Sequence, residues 1–469
     1  MKNDSKYSRR EFMKRFTAAT VAAGTLPAAA EGAMESILLR AQQKSPAANS
    51  RVQLATIGMG IIGFIDTETA LRVPGVELAA AADVYDGRLT RTREVFGDHV
   101  FTTRDYREIL NRPDIDAVIV AVPDHWHAKI AADAMKAGKA VYCEKPMVQD
   151  IEEGPEVIKV QKDTGQVFQV GSQFVSSMVY DKAKELYQSG AIGELNMVEA
   201  SYNRNSAIGA WQYSIAPDAS PETIDWDAFL GNAPKRDFDP LRFFRWRNYW
   251  DYGTGVAGDL YVHLFTAIHH VLNSHGPNRI ISTGGLRFWK DGRDVPDVMM
   301  ALVDYPESEN HAPFTLSLQT NFADGSGGGS QFRFIGSEGV ITVSNRGLQL
   351  DRSPRRRPPD NSVFDGYNSV RTFSSEVKEE FIKQYQQEFP TPDTSGLSES
   401  KEYKSPPGYD ARFYHFSSFF DSIRSGAPLI EDAVFGYRAA APALICNLSY
   451  RDQEIYHWNP EAMEIESKK

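Results

Sequence analysis

The sequence predicts an α/β half with a parallel sheet, followed by an α+β half built on a large, mostly antiparallel open sheet. Three observations carry this. From residue 51 to about 173, short apolar runs (VQLATI, VELAAAA, DAVIV, AVYC) alternate with stretches of helical periodicity. Beyond residue 174, strand-like segments follow one another across polar, Gly-rich turns such as ADGSGGGS. The chain has 469 residues, 42% hydrophobic and 24% charged, the make-up of an ordinary globular protein with room for two cores.

Taken in order, Val52 to Ile57 is a buried strand, and Gly58, Met59, Gly60, Ile61, Ile62 and Gly63 open a helix that runs through IDTETALRV. VELAAAAD is a second strand ending at Asp83; REIL is a helix, DAVIVAVP a strand, HAKIAADAMKAG a helix and AVYCEKP a strand. Such alternation suits a parallel sheet covered on both faces. In the second half the helix VYDKAKELYQSG leads to a strand around LNMVEASYN, a long aromatic loop region, and strands near NRIISTGGLRF, DVMMALVDY, FTLSLQTNF, SQFRFIGSEGVITVS and RGLQLDR. Residues 352–408 are expected as surface loops around the helix EVKEEFIKQYQQ. The closing helices FYHFSSFFDSIRSG and DAVFGYRAAAPALICNLSY are long enough to brace the second sheet. The domains are therefore set at 51–173 and 174–469.

Formal net charge is -11. Six of the 51 Lys/Arg and two of the 62 Asp/Glu lie in the first thirty residues, leaving 45 against 60 in the rest. An acidic body argues against a broad nucleic-acid surface or an anionic membrane surface. The basic start, an apolar run from Phe16 to about Pro27 and small residues near Ala30 make the three parts of an export signal, set at residues 1–32, with a linker at 33–50. SRREFMK resembles the twin-arginine signature, which implies the twin-arginine translocation machinery as a partner and the periplasm as location, without a membrane anchor. Cys143 and Cys446, far apart on unlike elements, suggest neither a disulfide scaffold nor a thiolate metal site.

In the Gly58 turn, Gly58 permits the tight bend after the strand, Gly60 lets backbone N–H groups approach a pyrophosphate, and Gly63 lets the helix pack closely. The helix N-terminus adds free donors, with Ile61 and Ile62 in its first turn. Asp83, at the end of the next strand, is placed to accept from the adenosine ribose hydroxyls. It favours NAD over NADP, although Arg88 and Arg91 lie close by in sequence. Pro123 ends a strand at the carboxyl edge of the sheet; Trp126 and His127 follow as cofactor or substrate contacts, with a helix cap for Asp124 and packing for Trp126 as the alternatives. Two histidines and an acid in this loop could hold a metal, but no further ligand cluster lies near in sequence, and none is predicted.

These residues, and above all Glu144, Lys145 and Pro146 in VYCEKPMVQD, resemble the Gfo/Idh/MocA family of nicotinamide-dependent oxidoreductases. The resemblance covers the chain from about residue 50. It implies a Rossmann-like first domain and an open-sheet second domain, with NAD as cofactor. It gives Lys145 the role of positioning and polarising the reacting hydroxyl or carbonyl, puts Glu144 at the cofactor end of the site, and makes Lys145–Pro146 a candidate cis peptide. It further implies self-association through the second domain, so a homo-oligomer is expected.

In DYGTGVAGDLYVHLFTAIHH, Asp259 and His263 stand four apart on a helical pattern and share a face. This resembles the family's D-x-x-x-H, in which the histidine is acid and base for the sugar hydroxyl that loses hydride; an N-cap for Asp259 and a satisfied buried histidine are the alternatives. His269 and His270 are read as structural. Arg242, Arg245, Trp246, Arg247, Tyr249, Trp250 and Tyr252 precede this turn, and rings beside guanidiniums suit a carbohydrate subsite, or equally a domain junction. From that stretch Arg245, Trp246, Arg247, Trp250 and Tyr252, together with Tyr202 and Arg204 from ASYNRN, are the substrate candidates. The expected function is a periplasmic oxidoreductase that moves hydride between a tightly bound NAD(H) and a sugar or glycoside. An NAD-dependent glycoside hydrolase working by transient C3 oxidation and elimination needs the same parts and a further base, for which Tyr202, His127 and Tyr252 are candidates. A saccharide-binding protein that keeps only the nucleotide fold fits the intact Gly58, Lys145 and His263 poorly.

Overall fold

The computed structural model describes residues 51–352, 362–389 and 399–466. The export signal and linker expected within residues 1–50, and parts of the surface loops expected within 352–408, lie outside the described residues.

The first half opens with β1 (Val52–Ile57), α1 (Ile61–Ala70), β2 (Val76–Ala82), α2 (Asp86–Phe96), β3 (Phe101–Thr103) and α3 (Tyr106–Leu110). It continues through β4 (Ala117–Val120), α4 (His127–Lys136), β5 (Ala140–Cys143), α5 (Glu153–Thr164) and β6 (Phe168–Val170). The six strands form one parallel sheet in the order β3-β2-β1-β4-β5-β6. β4 and β5 are apolar at every position because helices cover both of their faces. The strand order reverses between β1 and β4, and the loops there open at the carboxyl edge of the sheet, where such folds bind ligands.

The second half begins with α6 (Met178–Gln188) and β7 (Leu195–Asn203), then passes through α7 (Trp226–Leu230), α8 (Pro240–Phe244) and α9 (Val262–Leu272). A ten-stranded sheet is completed by β8 (Arg279–Gly285), β9 (Val298–Tyr305), β10 (Phe314–Asn321), β11 (Gly329–Gly336), β12 (Gly339–Ser344), β13 (Gly347–Arg352), β14 (Glu399–Tyr403), β15 (Tyr456–Asn459) and β16 (Glu464–Ile465). Only β7 and β10 pair in parallel; every other pair is antiparallel. Strands such as β9 and β10 alternate buried and exposed residues, so one face is packed and the other open. α9 lies against the packed face and is buried on all sides except at His263.

α10 (Ser375–Glu388), α11 (Ala411–Ser425) and α12 (Ala433–Asp452) follow, and here one expectation needs correction. α11 does not brace the second sheet. Its Phe416, Phe419 and Phe420 are fully buried against Leu54, Ile119 and Tyr142 of the first sheet, with Phe416 stacked on Tyr142 at 4.2 Å between ring centroids. Burying side chains of this size contributes about 1.5–3 kcal/mol each. A helix that carries apolar residues must bury them, but nothing in the pattern says against which sheet. α12 packs between the two halves. Ser449 Oγ accepts from Ser282 N of β8 at 2.9 Å, while just ahead of the helix the Glu431 carbonyl accepts from Val170 N of β6 at 2.9 Å.

Candidate active site

A cavity of about 740 Å³ runs along the carboxyl edge of the first sheet and is closed from the other side by the second half. At one end it meets the Gly58 turn. Gly58 has φ +95°, and a Cβ there would come within 2.6 Å of the Ala121 carbonyl, so only glycine fits. Gly63 does not line the cavity; a Cβ on it would lie 1.9 Å from the Gly58 carbonyl, so this glycine lets α1 sit against the turn. Gly60, Ile61 and Ile62 do line the cavity, and above Gly60 nothing comes closer than the Arg88 guanidinium carbon at 4.0 Å. The first-turn N–H groups of α1 therefore face a space that an anionic group can enter.

Asp83 stands where the sequence placed it, beside this turn. Its carboxylate accepts from Met59 N at 2.8 Å and Tyr85 N at 3.0 Å, with Arg88 Nη1 at 3.4 Å. The two arginines near it part company. Arg91 turns out to solvent and pairs with Glu94, while Arg88 lines the cavity with the Phe243 and Phe244 rings of α8 at 5.2 and 5.6 Å. Neither phenylalanine was among the expected site residues.

The loop after β4 ties the two halves together. Asp124 Oδ2 accepts from the Thr254 hydroxyl at 2.7 Å and from Thr254 N at 3.0 Å, so it holds the segment before Asp259. Trp126 donates Nε1 to the Phe229 carbonyl at 2.9 Å, and its ring lines the cavity. His127 sits in the wall, but its ring nitrogens lie 2.6 Å from the Pro146 carbonyl and 2.8 Å from that of Val122. Its ring nitrogens thus face backbone carbonyls beside Lys145, while the residue itself lines the cavity. Among the described residues no group of three His, Cys, Asp or Glu gathers in metal-binding geometry.

At the other end Lys145, which precedes Pro146 through a cis peptide, reaches across to the second half. Its Nζ donates to Asp259 Oδ1 at 2.8 Å and to the Asp259 carbonyl at 2.9 Å. Arg247 Nε approaches the same Oδ1 at 3.3 Å. Burial alone would raise the Asp259 carboxyl, but Lys145, Arg247 and Arg204 outweigh it and hold Asp259 well below the usual carboxylate range. Asp259 belongs to a π-helical turn (Ala257–Tyr261) that feeds α9, a local irregularity often found at functional sites. One turn on, His263 lines the same cavity between the rings of Phe174 (5.4 Å) and Tyr202 (6.1 Å), and its Nδ1 has no hydrogen-bond partner. Burial first, then the Lys145 and Arg204 cations, push its imidazole well below its ordinary value, so it is neutral around pH 7.

Behind Lys145 lie two buried carboxyls, of which only Glu144 was among the expected site residues. Glu144 is 5% exposed, and a Cβ at Gly171 would fall 2.4 Å from its Oε1. Asp66 of α1 is completely buried, accepts from Arg412 Nη1 of α11 at 2.9 Å, and lies close enough to Glu144 to feel its charge. Asp66 Oδ2 and Glu144 Oε1 have no hydrogen-bond partner. Burial, reinforced by the Glu144 charge, raises the Asp66 carboxyl well above its usual range despite Arg412. An acid inside the apolar run IIGFIDTETA was a signal that could have marked Asp66. Arg412 had none.

The aromatic stretch before Asp259 divides. Trp246 and Arg247 line the cavity, with the guanidinium stacked 4.1 Å from the indole. Arg245, Trp250 and Tyr252 do not. Arg245 donates to the Tyr213 carbonyl at 2.9 Å and to Gln212, Trp250 donates Nε1 to the Asp294 carbonyl at 3.0 Å, and Tyr252 is fully buried among Phe229, Phe243 and Tyr249. The segment coils as α8 and a 3₁₀ turn (Trp246–Asn248), so successive residues point to different sides and some build its own small core. Tyr202 and Arg204, at the end of β7, line the cavity, as do Pro123 and Glu144.

Comparison with known proteins agrees with this architecture. Residues 52–172 match the model described as "Oxidoreductase family, NAD-binding Rossmann fold", and residues 182–282 the one described as "Oxidoreductase family, C-terminal alpha/beta domain". The chain is 33% identical over 163 residues to an alpha-N-acetylgalactosaminidase of Shewanella oneidensis, which covers 32% of this chain and 35% of that one. It is 28% identical over 263 residues to levoglucosan dehydrogenase of Pseudarthrobacter phenanthrenivorans, 52% of this chain and 59% of the other. The chain thus spans about a third of the length of the first and somewhat over half of the second. In fold it resembles the solved levoglucosan dehydrogenase in complex with NADH and levoglucosan, with TM-score 0.61 and 18% identity over 86% of this chain and 98% of that one. The two family matches fall in chain order, one on the parallel sheet and one on the start of the open-sheet half, so that residues 52–172 and 182–282 carry the match to the Gfo/Idh/MocA oxidoreductase family.

Proposed function

We propose that the protein moves hydride between a tightly held NAD(H) and a hydroxyl-bearing carbon of a sugar or glycoside. One observation carries this reading: Lys145, clamped by Asp259, and a neutral His263 line the same cavity as the Gly58 turn. The residues present suit a dinucleotide. Gly60, Ile61 and Ile62 would receive its pyrophosphate, Asp83 its adenosine ribose, and Phe243 with Phe244 would flank the adenosine end beside Arg88. The Asp83 carboxylate favours NAD over NADP. A bound nicotinamide supplies the hydride acceptor and donor.

The chain's own residues manage the proton. Lys145 has one N–H direction left after its two bonds to Asp259 and donates it to the substrate oxygen, stabilising negative charge there as the hydroxyl becomes a carbonyl. His263, neutral and lining the cavity, accepts the hydroxyl proton and returns it in the reverse direction. Trp246 and Tyr202 supply rings on which a pyranose face packs.

A second reading, glycoside hydrolysis through transient oxidation at C3, draws on Tyr202. Of the three candidates for the extra base, His127 has its ring nitrogens against backbone carbonyls and Tyr252 is buried outside the cavity, while Tyr202 lines the cavity beside His263. The likeness to an alpha-N-acetylgalactosaminidase over 163 residues supports it.

Export through the twin-arginine route, a periplasmic location and self-association belong to the same proposal. Among the described residues no helix is long and apolar enough to cross a membrane. The test begins with denaturing extraction of the purified protein and identification of the nucleotide released, followed by incubation with glycosides. Near-stoichiometric NAD(H) together with a keto-sugar product supports the oxidoreductase. Release of free sugar at constant cofactor redox state supports the hydrolase, and an empty protein that binds neither NAD nor NADP overturns both.

A further inference from the structure

We infer that the sugar subsite takes an anionic sugar, a substrate whose carboxylate lies against Arg204. This rests on the oxidoreductase reading above and names its substrate class. Arg204 follows directly on β7, and its backbone is fixed by Arg204 N donating to the Asn321 carbonyl at 2.9 Å and by its own carbonyl accepting from Asp324 N at 3.0 Å. The guanidinium packs over the Tyr202 ring at 5.4 Å and lies 6.0 Å from that of Phe322. Its one hydrogen bond is from Nη1 to the Gly209 carbonyl at 3.2 Å, and among the described residues no carboxylate comes within ion-pair distance of it. A guanidinium carries five N–H donors, so a partly buried arginine engaged in a single neutral contact leaves a fork of donors and a full charge facing the cavity.

The acids nearby do not offset it. Asp259 already faces two cations, Lys145 at 2.8 Å and Arg247 at 3.3 Å. Asp66 is already paired with Arg412 at 2.9 Å. Arg204 acts electrostatically on both Asp259 and His263, which places it at the reacting end of the cavity rather than at the Gly58 turn. A neutral pyranose can accept a hydrogen bond from Arg204 but leaves its charge unmatched. A carboxylate matches both the charge and the fork. The sugars that fit are uronic acids and their glycosides, with the ring against Tyr202 and Trp246.

The test uses the protein as isolated with its cofactor, supplied with matched pairs that differ only at C6: methyl glucoside against methyl glucuronide, methyl galactoside against methyl galacturonide, and the corresponding mannose pair. Absorbance of the reduced nicotinamide reports turnover. The expected result is a preference of roughly thirtyfold or more in kcat/KM for the acidic member of at least one pair, weakened by added salt. In Arg204→Gln the ratio between the two members of that pair collapses, and Arg204→Lys restores part of it. Equal or better turnover of the neutral members overturns the inference while leaving the oxidoreductase reading in place. A preference that survives in Arg204→Gln overturns the assignment to Arg204. If no sugar, acidic or neutral, changes the cofactor, the oxidoreductase reading falls and this inference with it.

Discussion

At its nucleotide end the cavity is shaped largely by backbone from one short run, Gly58 to Asp83, whereas at its reacting end Lys145, Arg204, Arg247, Asp259 and His263 arrive from separate elements of both halves. In the first, glycines hold a shape and free N–H groups do the binding; substitutions fail there by collision. In the second, charged side chains hold one another, and each owes its protonation state to its neighbours: Asp259 is kept ionised by Lys145 and Arg247, and His263 is kept neutral by burial and by Lys145. The two ends should therefore break in different ways.

The largest effect is expected at the reacting end. Lys145→Met should lower kcat by about 10³-fold while the extracted nucleotide content and the far-UV circular dichroism stay at wild-type levels. Loss of nucleotide in this variant would mean that the two ends are one unit. Next comes Gly63→Ala, whose Cβ would lie 1.9 Å from the Gly58 carbonyl. It should destabilise the protein by about 1–3 kcal/mol in denaturant melts and deplete the bound nucleotide, and unaltered nucleotide content would refute the backbone-built account of that end.

A subtler contrast lies behind Lys145. Because the Asp66 carboxyl is raised, the unfolded chain releases above about pH 4 a proton that the folded chain keeps. Asp66 thus contributes stability below about pH 4 that is lost as pH rises toward its folded value. Asp66→Asn, which can still accept from Arg412 and donate to Glu144, should match wild type near pH 4 and gain on it by up to about 1.4 kcal/mol per pH unit above that. Parallel stability curves from pH 4 to 8 would rule out a raised Asp66 carboxyl. The smallest effect is expected from Tyr252→Phe. Its ring is in the core of the aromatic segment and not in the cavity, so kcat/KM should stay within about twofold of wild type.

What was legible in the sequence was what is local. The Gly58 turn, Asp83 after the next strand, and Asp259 with His263 one turn apart are patterns that spacing alone can carry, and the structure brings them to one cavity. The alternation of strands and helices marked the first sheet, and the succession of strands across Gly-rich turns the second, for the same reason. Composition did less well between residues 242 and 252, where aromatic and basic residues fill both the cavity wall and the core behind it, and only the coiling of the backbone decides which is which. Arg412 was invisible because nothing near it in sequence shares its task. Its partner Asp66 lies 346 residues away.

The helix that brings Arg412 also decides when the first half can be finished. Phe416, Phe419 and Phe420 are the lid over Leu54, Ile119 and Tyr142, yet they are made long after the strands they cover. At about 5–20 residues per second, a ribosome needs roughly 10–50 s to travel from the last strand of the first sheet to that helix. For that interval the nascent first half shows an apolar face and lacks the guanidinium for its buried acid pair. Order of synthesis and order of completion are thus reversed across the chain, and loading of a nucleotide belongs to the finished polypeptide rather than to the growing one.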